Sequence, residues 1–201
     1  MALPTTVSDE TLRQYLALQK RAAQLAQVEG AREHFLDFVR FIWPNFIAGR
    51  HHKIVAEKLE AVARGELKRL IINMPPRHTK SEFASYLFPA WFIGRMPDKK
   101  IMQATHTADL SIRFGRKVKN LMETQDYREI FPGARLRADS KAAYRWETDE
   151  GGEYYAAGVG GNIAGRGADL FIVDDPHSEQ DAQSPTALEN AWDWYQAGPR
   201  Q

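Results

Sequence analysis

Apolar positions three and four apart recur through the first third of the chain and predict successive helices. From Ser8 onward, Leu12, Leu16, Ala23 and Leu25 share one side of a first helix, with Ser8 and Asp9 at its start and Gly30 as its stop. Its apolar face is thin. The stretch AREHFLDFVRFIWPNF sets Phe35, Phe38, Val39 and Ile42 on one core-facing stripe and should end near Pro44, whose ring removes a donor and disfavours helix just before it. HHKIVAEKLEAVARG is a third helix, with Ile54, Val55, Leu59 and Val62 inward and Gly65 at its C-terminal stop.

The period then changes. Leu70, Ile71 and Ile72 form a short continuous apolar run, the pattern of a strand covered on both faces in a parallel sheet. A helix from about Lys80 to Gly94 follows, carrying Phe83, Tyr86, Leu87 and Trp91 and kinked at Pro89. KKIMQATHT reads as a second strand and ADLSIRFGRKVKNLMET as a helix with Leu110, Phe114, Val118 and Leu121 inward. In AAYRWETDEGGEYYAAGV, aromatics alternate on either side of Asp149, Glu150, Gly151 and Gly152, whose glycines allow the positive φ of a hairpin turn. After the glycine-rich GGNIAGRGAD comes LFIVDDP, another fully apolar strand. Strands alternating with helices indicate an α/β fold with a mostly parallel sheet flanked by helices.

Composition narrows the picture only a little. The 201 residues are 43% hydrophobic, enough for one globular core, and the net charge of +1 lacks the electrostatic footprint of a duplex-coating protein. The chain has no cysteine, which excludes disulfides, thiolate metal sites and cysteine nucleophiles and fits a reducing compartment. MALPTTVSDE lacks a basic region followed by an apolar one, and no stretch approaches 18 apolar residues, so neither a secretory leader nor a membrane span is expected.

The chemistry concentrates where the first expected strand meets its helix. Against the phosphate-loop pattern G-x-x-x-x-G-K-[ST], residues 74 to 81 read M-P-P-R-H-T-K-S. In such a loop backbone amides form an anion nest, the lysine contacts the β and γ phosphates and the hydroxyl binds magnesium, roles open to Lys80 and Ser81. Met74 and Thr79 stand where glycines usually do, so Thr79 must adopt a costly geometry unless the loop is wound differently; Pro75 and Pro76 fix φ and stiffen the approach to Arg77 and His78. On the loop alone, a proline-rich turn with a solvated lysine is an equal reading.

Asp174 and Asp175 end a buried strand at the edge where α/β sheets bind ligands. Asp174 suits a magnesium carboxylate, and Asp175 suits a group that orients or deprotonates an attacking water; the alternative is a turn opener or helix cap. Phosphoryl transfer also needs positive charge on the departing γ-phosphate, from Arg77 within the subunit or from Arg166 reaching into a neighbour. His52, beside His51, could recognise an adenine base, although an exposed helix start is the plainer reading. His106 and His177 could be drawn with the carboxylates as a metal cluster, although their spacing matches no zinc pattern. Arg113, Arg116, Lys117 and Lys119 make the best patch for DNA contact or a plain solvated helix face, and Trp43, Phe88, Trp91 and Phe92 read as core.

These residues resemble the ATPase domain of the large terminase subunit, the DNA-packaging motor of tailed bacteriophages. The likeness runs over most of residues 34 to 195 and rests on RLIINMPPRHTKSE, FPAWFIGRMPDKKI, GVGGNIAGRGAD with LFIVDDPH, and WDWY. It implies a RecA-like, ASCE-type P-loop NTPase that hydrolyses ATP with Mg²⁺ and works as a homo-oligomeric ring on the procapsid portal. Partners would be double-stranded DNA, the portal protein and the small terminase subunit, in the cytoplasm of the infected bacterial host. By motif, Lys80 and Ser81 would contact nucleotide and magnesium, Asp174 would hold the magnesium, Asp175 would be the catalytic carboxylate and Arg166 a finger acting in trans. Residues 1 to 33 would be a helical extension and 34 to 201 the ATPase domain, truncated at its C-terminal end and without the family's nuclease, and the isolated piece is expected to be a monomer. A helicase-like ATPase and a weakly active or non-catalytic nucleotide-binding module stay open, though helicases of the relevant kind would need a second motor domain.

Overall fold

The computed structural model describes residues 8 to 140, 142 to 163 and 165 to 198; the first seven residues of the expected extension and the last three of the expected ATPase domain lie outside them. Helix α1, Asp9–Glu33, starts where expected, with the Thr11 amide donating to Ser8 Oγ at 3.2 Å. It does not stop at Gly30. The helix runs on to His34 because Ala31 is fully buried and its carbonyl accepts the Trp91 indole N–H at 3.1 Å, so packing overrides the glycine. Helix α2, Phe35–Ile42, begins one residue later, its first amide capped by the Glu60 carboxylate at 2.8 Å. It ends at Trp43, just before Pro44, as the ring demands.

Helix α3, Arg50–Ala63, closes at Gly65, whose φ of 74° suits a residue without Cβ. Its buried face is set by His52, Ala56 and Leu59, which leaves Ile54, expected inward, half exposed. The expected strand at Leu70–Ile72 does not form. Residues 69 to 75 belong to no helix or strand, and the chain from 68 to 78 makes no backbone–backbone hydrogen bond among the described residues. Leu70 and Ile72 lean on the core while Ile71 is 85% exposed, so the apolar run is covered on one face only.

Lys80 and Ser81 open a helix that widens into a π-helical turn over Glu82–Leu87 and resumes as α4, Phe88–Arg95. Around the expected kink at Pro89 the helix changes its hydrogen-bond pattern, π-helical over Glu82–Leu87 and α-helical from Phe88, with the proline in the first turn of α4. Strand β1, Lys100–Thr105, is almost wholly buried and central. Helices α5, Ala108–Met122, and α6, Gln125–Ile130, follow; α6 was not foreseen. On α5 the buried stripe is Ser111, Gly115, Val118, Leu121 and Met122, while Leu110 and Phe114 are half-buried. Gly115 brings the helix close to the sheet: a Cβ there would stand 2.8 Å from the Tyr154 ring.

The hairpin forms as read, from β2, Arg145–Glu147, and β3, Glu153–Gly158, antiparallel to each other. Strand β4, Leu170–Val173, completes a four-stranded mixed sheet in the order β2-β3-β1-β4, with β3 and β4 both parallel to β1. Helix α7, Pro185–Ala197, comes last. The α/β class and the helix-flanked sheet thus match expectation. The main core joins α2, α4, α5 and the sheet, with Phe35 at centroid distances of 5.5 to 5.7 Å from Phe83, Phe88 and Trp91. No helix of the described residues is long and apolar enough to cross a membrane.

Candidate functional site

The C-terminal ends of β1 and β4 meet the start of the Lys80 helix, and the charged groups gather there. Lys80 Nζ donates to Asp175 Oδ1 at 2.5 Å and stands 3.7 Å from Asp174 Oδ1. Desolvation works against this ammonium, but the hydrogen bond and charge of Asp175, and then the charge of Asp174, outweigh it and raise its pKa above the ordinary lysine value. The two carboxylates are placed differently. Asp174 is buried and its amide continues the sheet ladder onto Ala104, whereas Asp175 has a side chain 61% exposed and a φ of 44°. Strand alternation and this left-handed turn send one carboxylate into the protein and the other to the surface.

Ser85 is the residue that motif reading missed. Its hydroxyl, fully buried on the π-helical turn, donates to Asp174 Oδ2 at 2.8 Å. That bond fixes the carboxylate and leaves Oδ1 turned toward Lys80. The spacing of four from Ser81, one turn along the same helix, was the available signal. Ser85→Ala should lower stability by about 1–3 kcal/mol, because Asp174 then keeps a buried oxygen without its donor. Urea denaturation of the two proteins checks this, and an unchanged midpoint would refute it.

The loop itself is strained. Arg77 and Thr79 have φ of 63° and 62°, so the position usually held by glycine does require the left-handed region, at about 1–2 kcal/mol for a residue with a Cβ. Pro75, Pro76, Arg77 and His78 are exposed, His78 with its Nδ1 2.9 Å from the Pro76 carbonyl. Ser81 is half-buried and its hydroxyl makes no hydrogen bond among the described residues. The Ser81 hydroxyl and the Asp174 Oδ1 that Ser85 leaves unbonded are both hard oxygen donors, the ligand type that suits Mg²⁺.

His52 is buried and engaged within the protein, with Nδ1 accepting the Gly49 amide at 2.9 Å and Nε2 at 2.7 Å from Thr79 Oγ1. Desolvation, then the charges of His51 and His78, lower its pKa. Arg166 is not at this edge. Its guanidinium carbon lies 4.1 Å over the Tyr155 ring and its Nη1 3.5 Å from Glu153, which pairs with Lys100 at the other end of β1. Tyr155 is level with Met102, three residues short of the β1 end where Asp174 follows, so the guanidinium lies away from the carboxylates, roughly 10 Å along the strand. Arg77, three residues before Lys80 in the chain, is exposed and makes no ion pair among the described residues.

The remaining candidates disperse. His106 Nδ1 and His177 Nε2 are buried without hydrogen-bond partners, and no group of three or more histidine or acidic residues among those described is placed to hold a metal. In the basic run, Lys117 is spent on Glu82 at 2.7 Å and on the Tyr86 ring, and Lys119 donates to the Ser140 carbonyl, leaving Arg113 and Arg116 exposed. Phe88, Trp91 and Phe92 are core, while Trp43 is 39% exposed.

Comparison with known proteins adds one relative. The chain is 24% identical over 176 residues to a protein named terminase, large subunit, of Enterobacteria phage T3; the match takes in 86% of this chain and 29% of that relative's length. No family model matches the chain. No solved structure matches it.

Proposed function

Starting from that similarity and this geometry, we propose that the chain is the ATP-hydrolysing part of a terminase large subunit, a RecA-like P-loop motor that moves double-stranded viral DNA into a procapsid. One observation carries the reading: the Lys80 ammonium, from the helix after a phosphate-loop-like turn, is held between two carboxylates at the end of a parallel strand 94 and 95 residues later in the chain. Loop, lysine and strand-end acid pair are the parts that bind and cleave a triphosphate, and here they converge.

In this reading the N–H groups of Arg77, His78 and Thr79 face the phosphates, Pro75 and Pro76 stiffen the approach without donating, and Lys80 exchanges Asp175 for the β and γ oxygens. Ser81 and Asp174 would hold Mg²⁺, which would supply charge neutralisation to the phosphates. Released from Lys80, Asp175 orients water and accepts its proton; its exposure and its left-handed turn put the carboxylate at the surface where water arrives. Arg77 supplies cis charge. Arg166, held on Tyr155 and Glu153 away from its own carboxylates, would act as a finger in trans, so that a homo-oligomeric ring on the portal, with the small subunit, would complete the site. A weakly active nucleotide-binding module is the second reading, favoured by the close Lys80–Asp175 pair, which occupies both groups.

Magnesium-dependent ATP hydrolysis separates the two. Asp175→Ala should bind ATP but turn it over about 100- to 10,000-fold more slowly. Wild-type turnover no faster than that of the variant would remove the enzymatic reading.

A further inference from the structure

The strained residue of the loop is tied down from a distance. His52, the third residue of α3, reaches back to the Gly49 amide as a glutamate does in a capping box, so Nδ1 is an acceptor and carries no proton. The neutral ring therefore has its proton on Nε2, 2.7 Å from Thr79 Oγ1 and 3.0 Å from His51 Nε2. The Thr79 hydroxyl spends its own proton on the His78 carbonyl at 2.6 Å, so toward His52 it offers only lone pairs. Donor and acceptor roles agree along the whole path from the Gly49 N–H through His52 and Thr79 to the His78 oxygen. The ring is wedged by Phe46 and Phe83 at centroid distances of 4.8 and 5.0 Å, and the titratable groups facing it are His51 on its own helix and His78 on the loop.

We propose that His52 is a positioning residue of the nucleotide site, holding Thr79 in the left-handed conformation that a glycine would adopt unaided. The proposal rests on the functional reading above and deepens it. It gives the imidazole a task other than contact with a base: both ring nitrogens serve the protein, and the hydroxyl of Thr79 is what makes a non-glycine residue workable at that turn.

The test is a cycle of variants titrated calorimetrically with the β,γ-imido analogue of ATP and Mg²⁺. His52→Ala and Thr79→Val each weaken binding by roughly 5- to 20-fold, the double variant binds no worse than the weaker single, and Thr79→Ser, which keeps the hydroxyl, binds like wild type. Valine matches threonine in shape, so that arm is decisive even if His52→Ala fails to fold. Imidazole ¹⁵N spectra of the protein without nucleotide should show His52 protonated on Nε2 with Nδ1 bare. Losses that multiply in the double variant, wild-type affinity in Thr79→Val, or a proton on Nδ1 would each overturn the tether while leaving the nucleotide site standing. Failure of the wild type to bind the analogue would overturn the functional reading and the role with it, whereas the spectra would still report whether the hydrogen bond exists.

Discussion

Lys80→Ala is expected to weaken Mg·ATP binding by roughly 10- to 150-fold, the worth of a hydrogen bond to a charged group, and to slow residual turnover by a further 100- to 1000-fold. Both losses follow from its position. The ammonium is the one cation between Asp174 and Asp175 among the described residues, and without it an incoming triphosphate meets two carboxylates directly. Repulsion then adds to the missing contact. Calorimetry reads the first loss and phosphate release the second. Lys80→Arg keeps the charge but not the compact ammonium, and should recover binding better than turnover. If Lys80→Ala binds nucleotide like wild type, the loop is an ordinary turn and the proposed site is wrong.

The largest expected effect on folding lies across the sheet. Trp146→Ala should lower stability by about 3–5 kcal/mol, measured by urea denaturation. The indole is fully buried, lies 4.9 Å from the Tyr154 ring with the planes 7° apart, and donates to the Gly115 carbonyl at 3.2 Å. It thus fastens β2 to β3 and both to α5, and alanine would leave a cavity in addition to an unfilled acceptor. Gly115 cannot close the gap, since the helix there already touches the Tyr154 ring. A loss below about 1 kcal/mol would mean that the hairpin repacks and is not a fixed support.

Periodicity was informative wherever one face meets the core, as with α2, β1 and the β2–β3 hairpin. It misled where burial and pairing separate. Leu70 to Ile72 has the apolar content of a central strand, yet apolar content says nothing about whether a neighbouring strand is present to share hydrogen bonds. Gly30 looked like a stop because propensity is local, while the packing of Ala31 under Trp91 is not. For the site, Lys80, Asp174 and Asp175 were legible from motif and order, and they converge. Ser85 and the His52–Thr79 bond were not, because both depend on how a π-helical turn and a helix start face the loop. Arg166 was legible as a positive charge near the carboxylate strand, but its place over Tyr155 and beside Glu153 depends on how the loop folds back on β3.

The segment from 68 to 78 combines firm ends with a slack middle. Upstream, the close of α3 is fixed by the Gly65 turn; downstream, His52 grips Thr79 and Lys80 is clasped from across the sheet. Between them the main chain is bonded to no other strand. Such a segment is held by its side chains, Leu70 and Ile72 against the core, and not by a ladder of main-chain bonds. The imidazole of His52 and the ammonium of Lys80 are thus the polar ties at the downstream end of the segment, added to the apolar packing that joins α3 to the sheet through Ala56 and Leu59.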